Sequence, residues 1–446
     1  MGAPDSGFPA EALPKAVFGD ADFERIDSQL AGTDRLLAEA YPGDAGTRQP
    51  VHTVYVPADR FTPSLAADWG QQALAAAGEA GGIQRLAELV GLPAELVAEV
   101  APRVEAKLGT EAIEDLRIDF EDGYLAPGRS ADPDATEDAE AVRAADQVAV
   151  AIAAGTATPF VGIRFKCFED GTRRRGLRTL ELFLARLVGV GGGGPDSLPE
   201  GLVLTLPKVS TVEQVEAMVY AVERLESSLG LHPGRLGFEV QVETPQLIIG
   251  PDGNHPVAQL AHRAQGRITA LHYGTYDYSA SLQIAAAYQS MEHPAADFAK
   301  EVMQLAVAGT GIRLSDGSTN VLPVGDAAQR DEAWKLHARL VRRSLERGYY
   351  QGWDLHAHQL PTRYIATYAF YREGLPKATE RLRNYVQQTV GAVLDEPATA
   401  RALAAFVLRG VQCGAAGADE VRALTGLSEG DLTRLAHPRL AALNAN

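Results

Sequence analysis

Short apolar runs of the kind that make buried strands recur along the chain, each closed by polar or turn residues. They are VHTVYVP (51–57), LRIDFED (116–122), PFVGIRFK (159–166), LVLTLPK (202–208), LGFEVQVE (236–243), RITALHYG (267–274), GIRLSD (311–316) and QGWDLHAH (351–358). Between them lie Ala/Leu/Glu/Arg stretches whose apolar residues repeat at helical spacing, such as TVEQVEAMVYAVERLESSL (211–229) and AAQRDEAWKLHARLVRRSLERG (327–348). Eight strands alternating with helices over this length predict an α/β fold, a (β/α)8 TIM barrel. A doubly wound open sheet is the rival, but it ordinarily carries a glycine-rich phosphate turn after its first strand, and VHTVYVPADRF has none. GGGG at 191–194 falls between a helix and a strand and reads as a connector. The expected domains are an N-terminal helical lead (1–50), the barrel (51–375) and a helical C-terminal arm (376–446).

Composition narrows the class. Of 446 residues 46% are hydrophobic and 22% charged, which excludes disordered and collagen-like chains. The formal charge of -17 repels phosphate backbones and anionic lipid, so neither nucleic acid nor a membrane is an expected partner. Two cysteines, Cys167 and Cys413, are too few for a disulfide framework or thiolate cage and fit a reducing compartment. No run approaches the roughly 18 apolar residues of a membrane span, and the start lacks the pattern of a secretion signal. A cytoplasmic location is therefore expected.

In a (β/α)8 barrel the chemistry sits at the C-terminal ends of the strands. Those ends carry Asp119, Glu121 and Asp122 after the second strand and Arg164 on the third. Lys208 follows the fourth, Glu243 the fifth, Asp277 the sixth, and His356 and His358 the eighth. Glu243 and Asp277, from neighbouring strands, offer oxygen-only ligation suited to Mg2+ or Mn2+. Two protein ligands leave room for water and a bidentate 2-oxo acid, and Arg164 would stabilise an enolate oxygen. Any one such acid is more often an ordinary cap or a solvated loop end; the joint pattern argues for a site. Lys208 also admits a Schiff-base aldolase, but the acidic pair beside it favours the metal route, leaving Lys208 as a substrate-binding residue. Arg173, Arg174, Arg175 and Arg178 follow the third strand, and Arg173 and Arg175 are candidates for a substrate phosphate or carboxylate. A solvated helix start paired with Glu169, Asp170 and Glu181 is an equal reading of that cluster. His356 and His358 alternate on what reads as one strand face without a third nitrogen or sulfur ligand, so hydrogen bonding to substrate or water is expected of His356.

The segments HTVYVPADR, IDFEDGY, GIRF, LTLPKVSTVEQV, VETPQLI, YGTYDYSASL and GWDLHAHQ occur in the order typical of the HpcH/HpaI aldolase and citrate lyase β-subunit family, which the chain resembles over about 51–361. The resemblance implies a pyruvate-enolate barrel that makes or breaks a carbon–carbon bond with a divalent metal. It casts Glu243 and Asp277 as metal ligands and Arg164 as the enolate-stabilising arginine. Glu121 and Asp122 become acids that hold the metal's waters and the arginine. The sequence departs from the family in reading EDGY where aldolase members carry a basic histidine, and in IRFK and HAHQ. The expected activity is a metal-dependent carbon–carbon lyase or aldolase acting on a small anionic 2-oxo acid, such as pyruvate, or on an acyl-thioester, including a CoA thioester. A condensing enzyme of the malate-synthase kind, a phosphoenolpyruvate-using transferase and a non-catalytic barrel subunit are the alternatives. The long helical tail suits a homo-oligomer, a trimer or hexamer.

Overall fold

The computed structural model describes residues 16–194, 196–387 and 396–437. The chain divides into two compact units, Met1–Pro42 and Gly43–Asn446. Within the first, a helix spans Asp20–Ala40 with no buried residue. Its N-terminus is closed by the Asp22 carboxylate, which accepts the Gly19 N–H at 2.9 Å.

Among its described residues the second unit holds eight strands: β1 (His52–Pro57), β2 (Asp115–Asp119), β3 (Phe160–Arg164), β4 (Leu202–Leu206), β5 (Phe238–Val242), β6 (Ile268–Tyr273), β7 (Arg313–Ser315) and β8 (Gly352–Asp354). Each overlaps one of the eight apolar runs. Their order is β7-β6-β5-β4-β3-β2-β1-β8 and every pairing is parallel. A parallel bridge between Ser315 and Gln351, with the Asp316 N–H on the Gln351 carbonyl at 2.8 Å, joins β7 to β8. The sheet therefore wraps into a nearly closed (β/α)8 barrel, and the open-sheet alternative falls.

The surrounding helices follow from local rules. Val212–Leu229 opens with a capping box between Thr211 and Gln214 and buries Val215, Met218, Val219 and Val222 along one stripe. It ends at Gly230, whose φ of 69° is the left-handed C-cap that glycine adopts without a Cβ clash. The acidic stretch after 131 becomes helical almost at once, because Asp132 caps a helix that starts at Pro133. Helices Pro397–Gln412, Ala418–Thr425 and Glu429–Ala436 form the C-terminal extension.

One strand reading is corrected. His356 and His358 do not lie on β8, which ends at Asp354; His356 caps a 3-10 turn, Ala357–Gln359, and His358 lies within it. The Leu355 N–H is taken by the Gln359 side chain at 2.8 Å and the His358 N–H by His356 Nδ1 at 3.1 Å, so the backbone leaves the ladder.

Inside the barrel the alternation of the strands delivers charge instead of aliphatic layers. Val54, Val56, Leu116, Ile118, Val161, Ile163, Leu204, Val240 and Val242 join the apolar core. Thr53, Asp115, Arg117, Thr205, Glu239 and His272 are buried as well, and they bond to one another. Arg117 binds Glu239 at 2.9 and 3.0 Å, Thr205 at 3.0 Å and Asp115 at 3.1 Å, and His272 Nε2 meets Glu239 at 3.0 Å. Burial opposes the ionised form of Glu239, but Arg117 and His272 hold it well below the usual carboxylate range. This paired plug is the floor on which the strand-end residues stand.

Candidate active site

The C-terminal ends of β2 and β3 set the first part of the site. Asp119 and Arg164 are register partners, each closing its strand. The Asp119 carboxylate takes Arg164 Nε and Nη2 at 2.7 Å each, and also accepts the N–H groups of Glu121 and Gly123 at 3.0 and 3.1 Å. That fork leaves Nη1 facing Gln241 at 3.4 Å, Glu121 at 3.8 Å and Asp122 at 3.9 Å. The Tyr55 ring lies under the guanidinium, 4.8 Å from its carbon, and Tyr55 Oη accepts from Gln241 Nε2 at 3.3 Å. Arg164 is 6% exposed, so ring, carboxylate and amide fix one orientation of a fully charged group.

Lys208 ties the second part together. It leaves β4 with φ 51°, a left-handed conformation that costs a side-chain-bearing residue of order 1 kcal/mol and is held only by its surroundings. Its N–H donates to Glu243 Oε1 at 2.8 Å. Its ammonium bridges Glu121 at 2.8 and 3.0 Å and Asp122 at 2.8 and 2.9 Å, and lies 3.8 Å from Asp277. Burial disfavours its charge, yet Asp122 and Glu121 keep the Lys208 ammonium above its ordinary range.

Glu243 follows β5 and is 2% exposed. Burial, reinforced by the charge of Asp277, pushes its carboxyl up to about 7 against the pull of Arg164 and Lys208. Glu121 also rises to about 7, chiefly through burial and the neighbouring Asp122, which itself is lowered by its hydrogen bonds to Glu121 and Lys208. Asp277 sits in the first turn of a short helix, Thr275–Ser281, that begins where β6 ends. Gly274 caps that helix, and its missing side chain is the room Glu243 occupies: a Cβ there would stand 2.5 Å from Glu243 Oε2.

The structure thus brings together Arg164, Glu121, Asp122, Lys208, Glu243 and Asp277. Among the described residues, the other three candidates make no hydrogen bond or ion pair to that group. Arg173 pairs with Asp170 at 2.8 Å. Arg175 reaches back to Asp138 and Glu137 of the helix Pro133–Ala154, where it clamps two outer helices. His356 packs edge-on against His358 at 4.5 Å, and burial and that neighbour lower its pKa. Three residues of the site are missing from the sequence-based set: Asp119, which was seen only as a strand-end acid, and Tyr55 and Gln241. The signal for all three is the two-residue period inside the strands, Thr53-Tyr55, Asp115-Arg117-Asp119 and Glu239-Gln241-Glu243, which aims alternate polar residues at one interior.

The electrostatics test whether a metal suits the site. Three carboxylates, Glu121, Asp122 and Asp277, surround the single ammonium of Lys208 and a fourth, Glu243, accepts its backbone N–H, while the charge of Arg164 is matched by Asp119. A buried carboxyl as basic as Glu243 gains most from a nearby cation, and an all-oxygen donor set is what a hard divalent ion prefers. Among the described residues no group of three or more His, Cys, Asp or Glu side chains is arranged as a metal cage.

Fold and site define the class: a (β/α)8 barrel with an acidic strand-end cluster flanked by an oriented arginine. The chain belongs to the DUF6986 family, described as a domain of unknown function, whose model matches residues 30–440. No curated protein matches the sequence. The likeness to citrate lyase β-subunits and malate synthases is found among solved structures at low identity. Haloferax volcanii malate synthase in a magnesium/glyoxylate complex is similar at 13% identity and TM-score 0.47, covering 87% of this chain and 97% of that one. CitE from Mycobacterium tuberculosis, in complex with magnesium, acetoacetate and coenzyme A, is similar at 14% identity and TM-score 0.46, covering 83% and 99%. Among the described residues no helix is long and apolar enough to cross a membrane.

Proposed function

We propose that this barrel is a divalent-metal-dependent enzyme that makes or breaks a carbon–carbon bond next to a carbonyl, through the enolate of a small 2-oxo acid or acyl-thioester. The observation that carries the reading is the pairing of an anionic pocket, Glu243 with Asp277, with a guanidinium edge, Arg164 Nη1, held by Asp119 toward the neighbouring acids. Glu243 and Asp277 would hold Mg2+ or Mn2+. Bound there, the ion supplies a Lewis acid for the substrate carbonyl.

The protein's own groups account for the rest. Arg164 offers Nη1 to the oxygen on which negative charge develops, and it needs no reorganisation, because Asp119, Tyr55 and Gln241 already fix it. Glu121, with its carboxyl near 7, is suited to hold or release a proton at neutral pH, which supplies an acid/base where EDGY replaces the family's histidine. Lys208 keeps Glu121 and Asp122 beside Arg164 and adds positive charge for a carboxylate substrate.

Calorimetry with pyruvate, oxaloacetate and glyoxylate, each with and without Mg2+, tests the reading. Metal-dependent binding of at least one acid is expected, and it should weaken in Arg164→Gln. Failure of all three to bind with Mg2+ or Mn2+ present overturns it.

A further inference from the structure

The opposite mouth of the barrel holds a second cluster, unrelated to the strand-end chemistry. Arg313 opens β7 and Tyr350 precedes β8, so both lie at the N-terminal ends of the strands. Arg409, from the helix Pro397–Gln412, lies over the Tyr350 ring with its guanidinium carbon 4.4 Å from the centroid. These side chains, with Asp44 and Gln49, line a cavity of about 170 Å³. Three glycines, Gly309, Gly311 and Gly348, also line it and leave it open to the backbone.

The charges in this cavity do not balance. Asp44 is the one acid among its lining residues; it meets Arg409 at 3.4 Å and is also engaged by the Gly46 N–H at 2.8 Å. Arg313 donates to the carbonyl of Thr47 at 2.7 Å and to the Thr47 hydroxyl, and makes no ion pair among the described residues. Burial and the neighbouring Arg409 lower its pKa. A half-buried guanidinium beside a second one, with one shared carboxylate, is a local positive excess in a chain whose net charge is -17. Buried charge of this kind is ordinarily completed by a counter-charge.

We propose that this cavity binds a small tetrahedral oxyanion, phosphate or sulfate, gripped between Arg313 and Arg409. Guanidinium groups offer planar forks that match such oxygens. The volume lies well below the roughly 300 Å³ at which ligand pockets begin, which suits a small anion better than a nucleotide or a coenzyme. Because Arg313 belongs to the barrel and Arg409 to the C-terminal extension, the anion would fasten that extension to the barrel floor.

The test uses the full chain and inorganic phosphate, with potassium chloride and acetate at matched ionic strength as controls and sulfate as the competing source. Calorimetry should find one phosphate per chain, with a saturable rise in Tm that chloride and acetate do not give. Sulfate should displace it. Arg313→Gln should weaken phosphate binding at least about tenfold, the loss expected of a charge-assisted hydrogen bond, and Arg409→Lys provides a second variant should the first fail to fold. Lys208→Met, at the other mouth of the barrel, should bind phosphate as the wild type does. A phosphate effect no larger than that of chloride, unchanged binding in a folded Arg313→Gln or Arg409→Lys, or loss of binding in a folded Lys208→Met would each overturn the proposal.

Discussion

Replacing Glu243 with Gln separates what the site does for the fold from what it does for a ligand. In the metal-free protein the Glu243 carboxyl is displaced from its ordinary 4.5 to about 7, mainly by burial. At 1.36 kcal/mol per pH unit, that displacement is worth about 3 kcal/mol of penalty on the ionised form. A raised folded-state pKa means the penalty is absent below about pH 4.5, grows as pH rises and is complete above about pH 7. Glutamine keeps the carbonyl oxygen that accepts the Lys208 N–H at 2.8 Å and never ionises. Its amide donors must find partners beside Gly274, which offsets part of the gain. Glu243→Gln should therefore be more stable than the wild type by about 1–3 kcal/mol near pH 8.5 and nearly equal to it near pH 5. The assay is urea unfolding in the presence of EDTA at both pH values. Adding Mg2+ should reverse the order at the higher pH, since only the wild type gains binding energy. A stability difference that is the same at both pH values, or a variant less stable than the wild type near pH 8.5, would refute the electrostatic reasoning.

Three further outcomes are expected. Gly274→Ala has an allowed backbone, φ −98° and ψ 99°, but its Cβ would press on Glu243 at 2.5 Å; it should cost about 1–3 kcal/mol in urea unfolding and lower Mg2+ affinity in calorimetry. Asp119→Asn removes the charge that forks Arg164 at 2.7 Å, so kcat for carbon–carbon bond turnover should fall by about 10²–10³ with KM changed far less, as for loss of oriented transition-state charge. Arg117→Met leaves Asp115 and Glu239 buried without their cation and should destabilise the barrel by about 3–5 kcal/mol in the same unfolding assay, with more of the loss seen at neutral pH than in acid.

Much of this molecule is legible in its sequence. The eight strands could be read because parallel barrel strands are bounded apolar runs, and the gathering of Arg164, Lys208, Glu243 and Asp277 could be read because the fold brings strand exits together. What escaped was lateral. That Asp119, and not Glu121 or Asp122, grips Arg164 depends on the register between β2 and β3, which no single strand reveals. Tyr55 and Gln241 looked like ordinary strand residues because an interior tyrosine or glutamine is read as packing unless its neighbours across the barrel are known. Arg173 and Arg175 stand close to the third strand in sequence, but a helix start radiates side chains in several directions, and theirs end on Asp170 and Asp138. The histidines failed as a strand pair because two side-chain hydrogen bonds end β8 early.

The central claim is that Glu243 and Asp277 hold a divalent cation at the mouth of the barrel. Titration of the metal-free protein with Mn2+, followed by electron paramagnetic resonance near pH 8, tests it most directly. The account predicts one bound Mn2+ per wild-type chain, an altered signal when oxalate is added, and loss of the bound ion in Asp277→Ala, whose half-exposed side chain can be removed without unfolding the barrel. Unchanged Mn2+ affinity in a folded Asp277→Ala, or no bound ion in the wild type, would contradict it.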